Sequence, residues 1–395
     1  MSSDGAARLR WLALSVFVLS TAINYLDRAT LATVAPMVRR EFQLSNAQYG
    51  WIVNAFMLTY ALSAPLAGML VDRIGLNRAV RLAVSLWSCA GIATGFSRGL
   101  AGLAACRSVL GMAEAGGIPA AGKAIHQYLK PPERALGNAL NQSAVSLGLV
   151  LAPPVATWFA LRSGWRAAFI VTGLLGLAWL PLWSWMSRRI PAGAAPQPVA
   201  ADRAMLRDRR LWSFVAANAL SMIPYTLWTN WTTLYLVDAR HLTMREAAWY
   251  AWIPPVLAAA GGFAGGWLSL HWMRLGVAAV RARFRVCLAA AVLSLATALI
   301  PAAPTPLWAA GGIALSFFAV AAFSVNMYTL PLDAFGGARA AFAVSFLTAS
   351  AGAAGLLSPL FGRLIDLHGY GPVTAIASLM PLAACAVLRV TRSVA

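Results

Sequence analysis

Charge is scarce in this chain, and negative charge scarcer still. Asp and Glu together number 12 of 395 residues, and the four charged types make up 11%. With 60% hydrophobic residues and a mean hydropathy of +0.69, a soluble fold of this composition would expose a sticky surface, so a water-soluble globule is excluded. Cysteine and histidine are as thin, with four of each. Cys89, Cys106, Cys287 and Cys385 stand alone in apolar stretches, without a C-x-x-C pair or clustered His. That spacing argues against a disulfide scaffold or a zinc site and reads as small buried hydrophobes. No phosphate loop and no nucleophile beside a base is present, so neither an enzyme nor a cofactor is expected.

What fills the chain is apolar runs of the length needed to cross a hydrocarbon core of about 30 Å. Twelve are expected, over 11–35, 50–71, 79–97, 100–128, 135–161, 166–187, 211–236, 247–270, 284–302, 306–330, 340–364 and 371–390. The first run continues past the length of a signal core and lacks a small-residue cleavage pattern, so it is expected to stay as a helix. A formal charge of +19 would suggest nucleic acid in a soluble protein. Here most of the basic residues, among them Arg8, Arg10, Arg73, Arg78, Arg81, Arg134, Arg188, Arg189, Arg207, Arg209 and Arg210, fall on alternate loops. They orient the protein with both termini cytoplasmic and meet anionic headgroups. The expected partner is a lipid bilayer and not nucleic acid. The use of Ala and of Arg over Lys points to a bacterial inner membrane, and a monomer is expected.

The stretch from Arg188 to Arg210 contains Pro191, Pro196 and Pro198 and divides the chain. The expected domains are an N-terminal six-helix bundle over 1–190, a cytoplasmic loop over 191–208 and a C-terminal six-helix bundle over 209–395. Two six-span halves suggest parallel repeats around a solute path, each holding inverted three-helix units. A weak echo supports this: Gly68-Met-Leu-Val-Asp72-Arg73-Ile-Gly75-Leu-Asn-Arg78 after the second span, and Gly265-Gly266 through His271-Trp-Met-Arg274-Leu-Gly276 after the eighth. The second copy has Leu270 where the first has its acid. Prolines inside the spans, such as Pro119, Pro153, Pro154 and Pro254, are tolerated in membrane bundles, where they permit kinks.

The loop from Gly68 to Arg78 resembles the cytoplasmic signature of the major facilitator superfamily, placed between the second and third helices as in that family. Asn24-Tyr25-Leu26-Asp27-Arg28, Arg107-x-x-x-Gly111-x-x-Glu114-Ala115 and Gly164-Trp165-Arg166-x-x-Phe169 resemble its anion:cation symporter branch. The resemblance implies an all-α membrane protein of twelve helices in two pseudo-symmetric six-helix bundles. It also implies that Gly68, Asp72, Arg73, Gly75 and Arg78 form a gating loop, whose plainer reading is a turn with a topology signal.

Independently of that likeness, Asp27 and Glu114 are the two acids lying well inside spans. A charge in hydrocarbon costs several kcal/mol, so such residues face a cavity or a partner. Arg107 and Glu114 are about two turns apart and share a face. Desolvation favours the protonated form of a carboxylate and a nearby Arg the charged form, which makes the set a coupling device. Asp27 and Glu114 are therefore candidate proton carriers, and Arg28 and Arg107 candidate anchors for a substrate carboxylate. The resemblance implies the same roles. The bland alternative is that Asp27 with Arg28, or Glu114 with Arg107, merely neutralise one another. Adjacent side chains on a helix diverge by about 100°, so Asp27 and Arg28 cannot both face one cavity directly.

Tyr60, Gln142, Ser143, Asn326 and Thr348 are candidate contacts to solute hydroxyls, although polar groups in membrane helices often serve only their own backbone. Trp228 is a further candidate, on the helix that the resemblance places along the solute path. Lys123 is expected to snorkel to the interface. Thr348 stands where the branch often carries Asn, which suggests a less hydroxylated carboxylate than a hexuronate. The leading expectation is proton-coupled uptake of a small organic anion by alternating access. The rivals are a proton-driven exporter, suggested in part by Gly148-x-x-x-Ala152-Pro153-Pro154, and a non-transporting membrane sensor.

Overall fold

A computed structural model of the chain describes residues 3–130, 133–190, 203–335 and 337–391. Among these the structure is helical, with sixteen α-helical segments and no strand. They are α1 (Ser3–Phe42), α2 (Asn46–Ile74), α3 (Leu76–Thr94), α4 (Leu100–Glu114), α5 (Gly117–Tyr128), α6 (Arg134–Ser163), α7 (Trp165–Ser187), α8 (Arg209–Ser221), α9 (Ile223–Leu234), α10 (Met244–Ala251), α11 (Ile253–Arg274), α12 (Ala279–Ser294), α13 (Pro306–Phe335), α14 (Gly337–Gly355), α15 (Ser358–His368) and α16 (Tyr370–Val390).

Seven helical stretches of the described residues are long and apolar enough to cross a bilayer: Ala7–Phe42, Leu136–Ser163, Trp165–Ser187, Met244–Arg274, Ala279–Ala302, Pro306–Phe335 and Tyr370–Val390. The other five expected spans are α2, α3 and three broken pairs: α4 with α5, α8 with α9, and α14 with α15. The breaks have a local cause. Pro224, Pro254 and Pro359 each occupy the first turn of the segment that follows a break, where a missing N–H and the constraint on the preceding residue end the previous helix. The α4/α5 break falls at Ala115-Gly116, and Pro119 stands in the first turn of α5, where its ring would clash with the Ala115 carbonyl of an unbroken helix. Bulky apolar residues such as Leu62, Phe263 and Trp308 are exposed, as lipid-facing side chains are in a membrane bundle.

The chain divides into two compact units: Met1–Gln43 with Ala55–Pro198, and Leu44–Asn54 with Val199–Ala395. The first turns of α2 thus pack within the second unit, where Asp366 accepts from the Asn46 and Ala47 amides at 2.9 Å and the Tyr49 hydroxyl donates to the Asn230 carbonyl at 3.1 Å. The repeat shows in the backbone. Among the described residues the four positive-φ glycines stand between helices: Gly75 and Gly164 in the first unit, Gly276 and Gly369 in the second. Gly75 and Gly276 close the echoed loop motifs. Gly164-Trp165 and Gly369-Tyr370 each start the last helix of a unit, α7 and α16. A side chain at φ near +80° is strained, so the turn demands glycine at the same step of both repeats.

Candidate functional site

Within the first unit, α1, α2, α3, α4 and α7 converge on four charged side chains. Asp27 and Arg28 are neighbours on α1, and their side chains diverge as helical geometry requires. Arg28 turns to α4, where its Nε donates to Glu114 Oε2 at 2.9 Å and its Nη2 lies 2.8 Å from the same oxygen. The Glu114 side chain is fully buried and that of Arg28 is 23% exposed. Three rings surround the guanidinium: its Cζ lies 4.8 Å from the Tyr25 centroid, 4.9 Å from Phe56 and 5.1 Å from Tyr60. The Phe56 and Tyr60 rings stack on one another 5.8 Å apart. Rings that accept a cation face-on while excluding water strengthen the ion pair they enclose.

Arg107 is buried on α4, donates from Nη2 to the Arg28 carbonyl at 3.2 Å, and lies 5.4 Å from the Phe56 centroid. The ion pair of Arg28 with Glu114 thus joins α1 to α4. Glu114 uses one oxygen for both Arg28 nitrogens, and Oε1 has no hydrogen-bond partner among the described residues. Gly111 explains how α4 comes close enough: a Cβ there would stand 2.4 Å from the Phe56 carbonyl oxygen on α2. The spacing Arg107-x-x-x-Gly111-x-x-Glu114 thus places two charges either side of a helix contact that only glycine permits.

Asp27 turns the other way. Its Oδ1 accepts from the Thr172 hydroxyl of α7 at 2.6 Å, while Oδ2 has no hydrogen-bond partner among the described residues. The absent side chain of Gly91 on α3 completes the niche, since a Cβ there would lie 3.1 Å from Oδ1. Thr172, Gly91, Tyr25 and Phe56 were not singled out from sequence. Only Tyr25 sat inside a quoted motif, and a lone Thr or Phe in an apolar helix carries no signal of its partner.

The remaining candidates lie elsewhere. Tyr60 is half-buried beside Arg28. Gln142 and Ser143 are exposed on α6, where the Ser143 hydroxyl bonds its own helix at Ala139. In the second unit, Trp228 on α9 is wholly buried, and its indole nitrogen has no hydrogen-bond partner among the described residues. The Asn326 amide of α13 donates to the Gly265 carbonyl of α11 at 3.1 Å and to Ala322 at 3.0 Å, tying two helices. Thr348 is half-buried on α14. Of the loop residues, Gly68 and Gly75 flank the end of α2, and Arg73 and Arg78 are exposed; the Asp72 side chain lies outside the described residues. Lys123 does not snorkel. It is buried on α5, and its ammonium donates to the Val71 carbonyl at 2.9 Å, because α5 packs against the last turn of α2 and offers it those carbonyls.

Residues 17–359 match the family described as Major Facilitator Superfamily. The hexuronate transporter of Escherichia coli K12 is 28% identical, over 95% of this chain and 92% of its own. A probable sulfoacetate transporter of Cupriavidus necator is 28% identical over 92% of this chain and 89% of its own, and the galacturonate transporter of Dickeya chrysanthemi is 28% identical over 67% and 83%. Among solved structures, a bacterial homolog of the human lysosomal transporter Spinster, in an inward-facing and unoccupied conformation, shares the fold with a TM-score of 0.77 at 20% identity, covering 98% of both chains. The family match over most of the length and a common fold from end to end give one conclusion: the chain belongs to the Major Facilitator Superfamily and is a membrane transporter rather than an enzyme.

Proposed function

We propose that the protein takes up a small organic anion, a sugar acid or related carboxylate, coupled to protons by alternating access. The observation that carries this reading is the Arg28–Glu114 pair, sealed by rings and flanked by Arg107. An ionised Glu114 holds the Arg28 fork. Once Glu114 is protonated, that hold weakens and the fork is offered to a substrate carboxylate, which it matches in charge and geometry. The substrate carboxylate and the ionised Glu114 thus compete for one guanidinium, so that substrate and proton each favour the other's binding. Arg107 is the second anchor, and Asp27 a second proton site. The relatives named above handle hexuronates, galacturonate and sulfoacetate, all anions, which supports the substrate class.

Tyr60, Gln142 and Ser143 of the first half and Trp228, Asn326 and Thr348 of the second are proposed to meet the uncharged part of the solute. Gly68, Asp72, Arg73, Gly75 and Arg78 form the proposed gating loop. The functional halves are taken as 1–190 and 209–395. The protein is proposed to be a monomer of a bacterial inner membrane, and the distribution of its basic residues supports both termini being cytoplasmic.

The test is uptake by the purified protein in liposomes under an inward proton gradient, with labelled galacturonate, sulfoacetate and an aromatic carboxylate as probes. Gradient-driven accumulation of one anion is expected, lost in Arg107→Ala. In Glu114→Gln, exchange of labelled anion should persist while uphill accumulation disappears; uphill uptake retained in that variant overturns the coupling role.

A further inference from the structure

The two buried carboxylates have partners of opposite chemical character. Glu114 faces Arg28, a cation that only donates hydrogen bonds and is always charged. Protonating Glu114 therefore breaks a partnership. Asp27 faces the Thr172 hydroxyl, which can donate to an ionised carboxylate and accept from a protonated one. Its single proton has two acceptors in reach, Asp27 Oδ1 at 2.6 Å and the Phe169 carbonyl of its own helix at 3.1 Å. Threonines in membrane helices commonly bond only the carbonyl one turn back, as Thr30 and Thr94 do here. Thr172 has that option and reaches α1 as well.

Both residues are buried, Asp27 at 2% and Thr172 at 1% exposure, so no water competes for the contact in this conformation. Gly91 keeps the niche open on the α3 side. The charged groups that act on Asp27 are Arg28 on its own helix and Arg107 and Glu114 on α4, while the Tyr25 and Tyr60 rings lie against Arg28. Against it, α3 and α7 present Gly91 and Thr172.

We infer that Thr172 is a positioning residue that holds the Asp27 carboxyl in both protonation states, so that Asp27 gains and loses its proton without separating α1 from α7. This rests on the reading of Asp27 as a proton site. It divides the labour within one cluster: a proton on Glu114 changes who holds Arg28, whereas a proton on Asp27 changes only which partner in the Asp27–Thr172 hydrogen bond donates. An arginine or lysine in place of Thr172 could serve the ionised form alone.

The experiment is an infrared pH titration of the purified full-length protein, with no substrate added, in wild type, Thr172→Val, Thr172→Ser and Gly91→Ala; Asp27→Asn assigns the band of the protonated carboxyl. Valine keeps the shape of threonine and removes the hydroxyl, so the protonated Asp27 band should change frequency, and its half-titration point should move about one pH unit toward alkaline, since both forms lose a bond and the ionised form loses the stronger, charge-assisted one. Serine should restore both. Gly91→Ala, which crowds Oδ1, should shift the band with Thr172 intact. A band unmoved in Thr172→Val, or unrestored by Ser, overturns the proposal and leaves Thr172 as a plain helix contact. The uptake assay is separate: failure of proton-driven uptake in wild type with these spectral shifts present would overturn the transport reading and leave the Asp27–Thr172 pairing standing.

Discussion

The two units were built from one helical plan and filled with different chemistry. Every charged side chain that is buried among the described residues, Asp27, Arg107, Glu114 and Lys123, belongs to the first unit. The second unit buries Trp228, Trp231, Tyr235, Phe214 and Phe323 instead, together with the amides of Asn218 and Asn326. Its ion pairs among the described residues, Arg283 with Asp333 between α12 and α13 and Arg210 with Asp208 at the start of α8, are part-exposed. Its Arg240 is spent on the carbonyls of Ile300 and Pro301 and the hydroxyl of Tyr235, where α9 relaxes into a π-helical turn over Tyr235–Ala239. The same topological positions, turned by the same glycines, thus hold a titratable cluster in one repeat and a neutral aromatic one in the other. Under the proposed function the first unit answers the proton, and the second is proposed to read the shape and hydroxyls of the solute.

Breaking the ion pair should have the largest effect. Arg28→Met leaves Glu114 buried without its cation and should cost about 3 kcal/mol in unfolding free energy, with uptake abolished. Adding Glu114→Gln to that variant should recover much of the stability and none of the accumulation, because a neutral pair needs no charge partner. Thermal unfolding in detergent and liposome uptake check the two halves of this statement. If the double variant is no more stable than Arg28→Met, the pair is not the unit described here.

Next in size is the close helix contact, which both units possess. Gly111→Ala puts a methyl 2.4 Å from the Phe56 carbonyl, and Gly265→Ala puts one 2.7 Å from the Cα of Ala322. Each should destabilise by about 1–3 kcal/mol through overpacking. They should part in function. Gly111→Ala shifts the helix that carries Arg107 and Glu114 and should alter the pH profile of uptake, whereas Gly265→Ala should lower the amount of folded protein and leave that profile unchanged. An altered profile in both would erase the distinction between the units.

Much of this was legible beforehand, and the reasons differ by feature. A charge in a long apolar run is costly enough to be conspicuous, so Asp27, Arg28, Arg107 and Glu114 stood out; the in-span prolines read only as kinks, although one stands in the first turn after each of the four helix breaks. Which arginine meets which acid was not legible, because it depends on the rotation of α1 against α4, and neighbouring positions in sequence say nothing of that angle. Thr172 was invisible for the same reason: a threonine in a membrane helix usually serves its own backbone. Lys123 was misjudged because snorkelling assumes a free path to the interface, and the ammonium is instead buried against the Val71 carbonyl in the last turn of α2.

A smaller effect tests whether the second unit is held by amides as the first is by charges. Asn218 donates to the Leu347 carbonyl at 2.8 Å and to the Ser350 hydroxyl at 3.0 Å, joining α8 to α14. Asn218→Leu should lower stability by about 1 kcal/mol, the usual size of an interhelical hydrogen bond in lipid, with proton coupling intact. A loss of coupling comparable to that of Glu114→Gln would place a titratable function in a unit whose buried polar groups are neutral.

Trp228→Phe should have the smallest effect and the most specific one. The indole is wholly buried and its N–H has no hydrogen-bond partner among the described residues, so the substitution removes a donor that contributes nothing to the fold as it stands. Leaving such a donor unpaired is unfavourable, and its removal should keep unfolding within about 0.5 kcal/mol of wild type. If the N–H is satisfied only when the solute is bound, the apparent affinity should fall about fivefold, the worth of one hydrogen bond of roughly 1 kcal/mol, with the maximal rate and its pH profile preserved. That pattern, a change in KM alone, would assign recognition of the neutral part of the anion to the second unit. An unchanged KM would remove Trp228 from the substrate contacts and narrow them to groups such as Asn326 and Thr348.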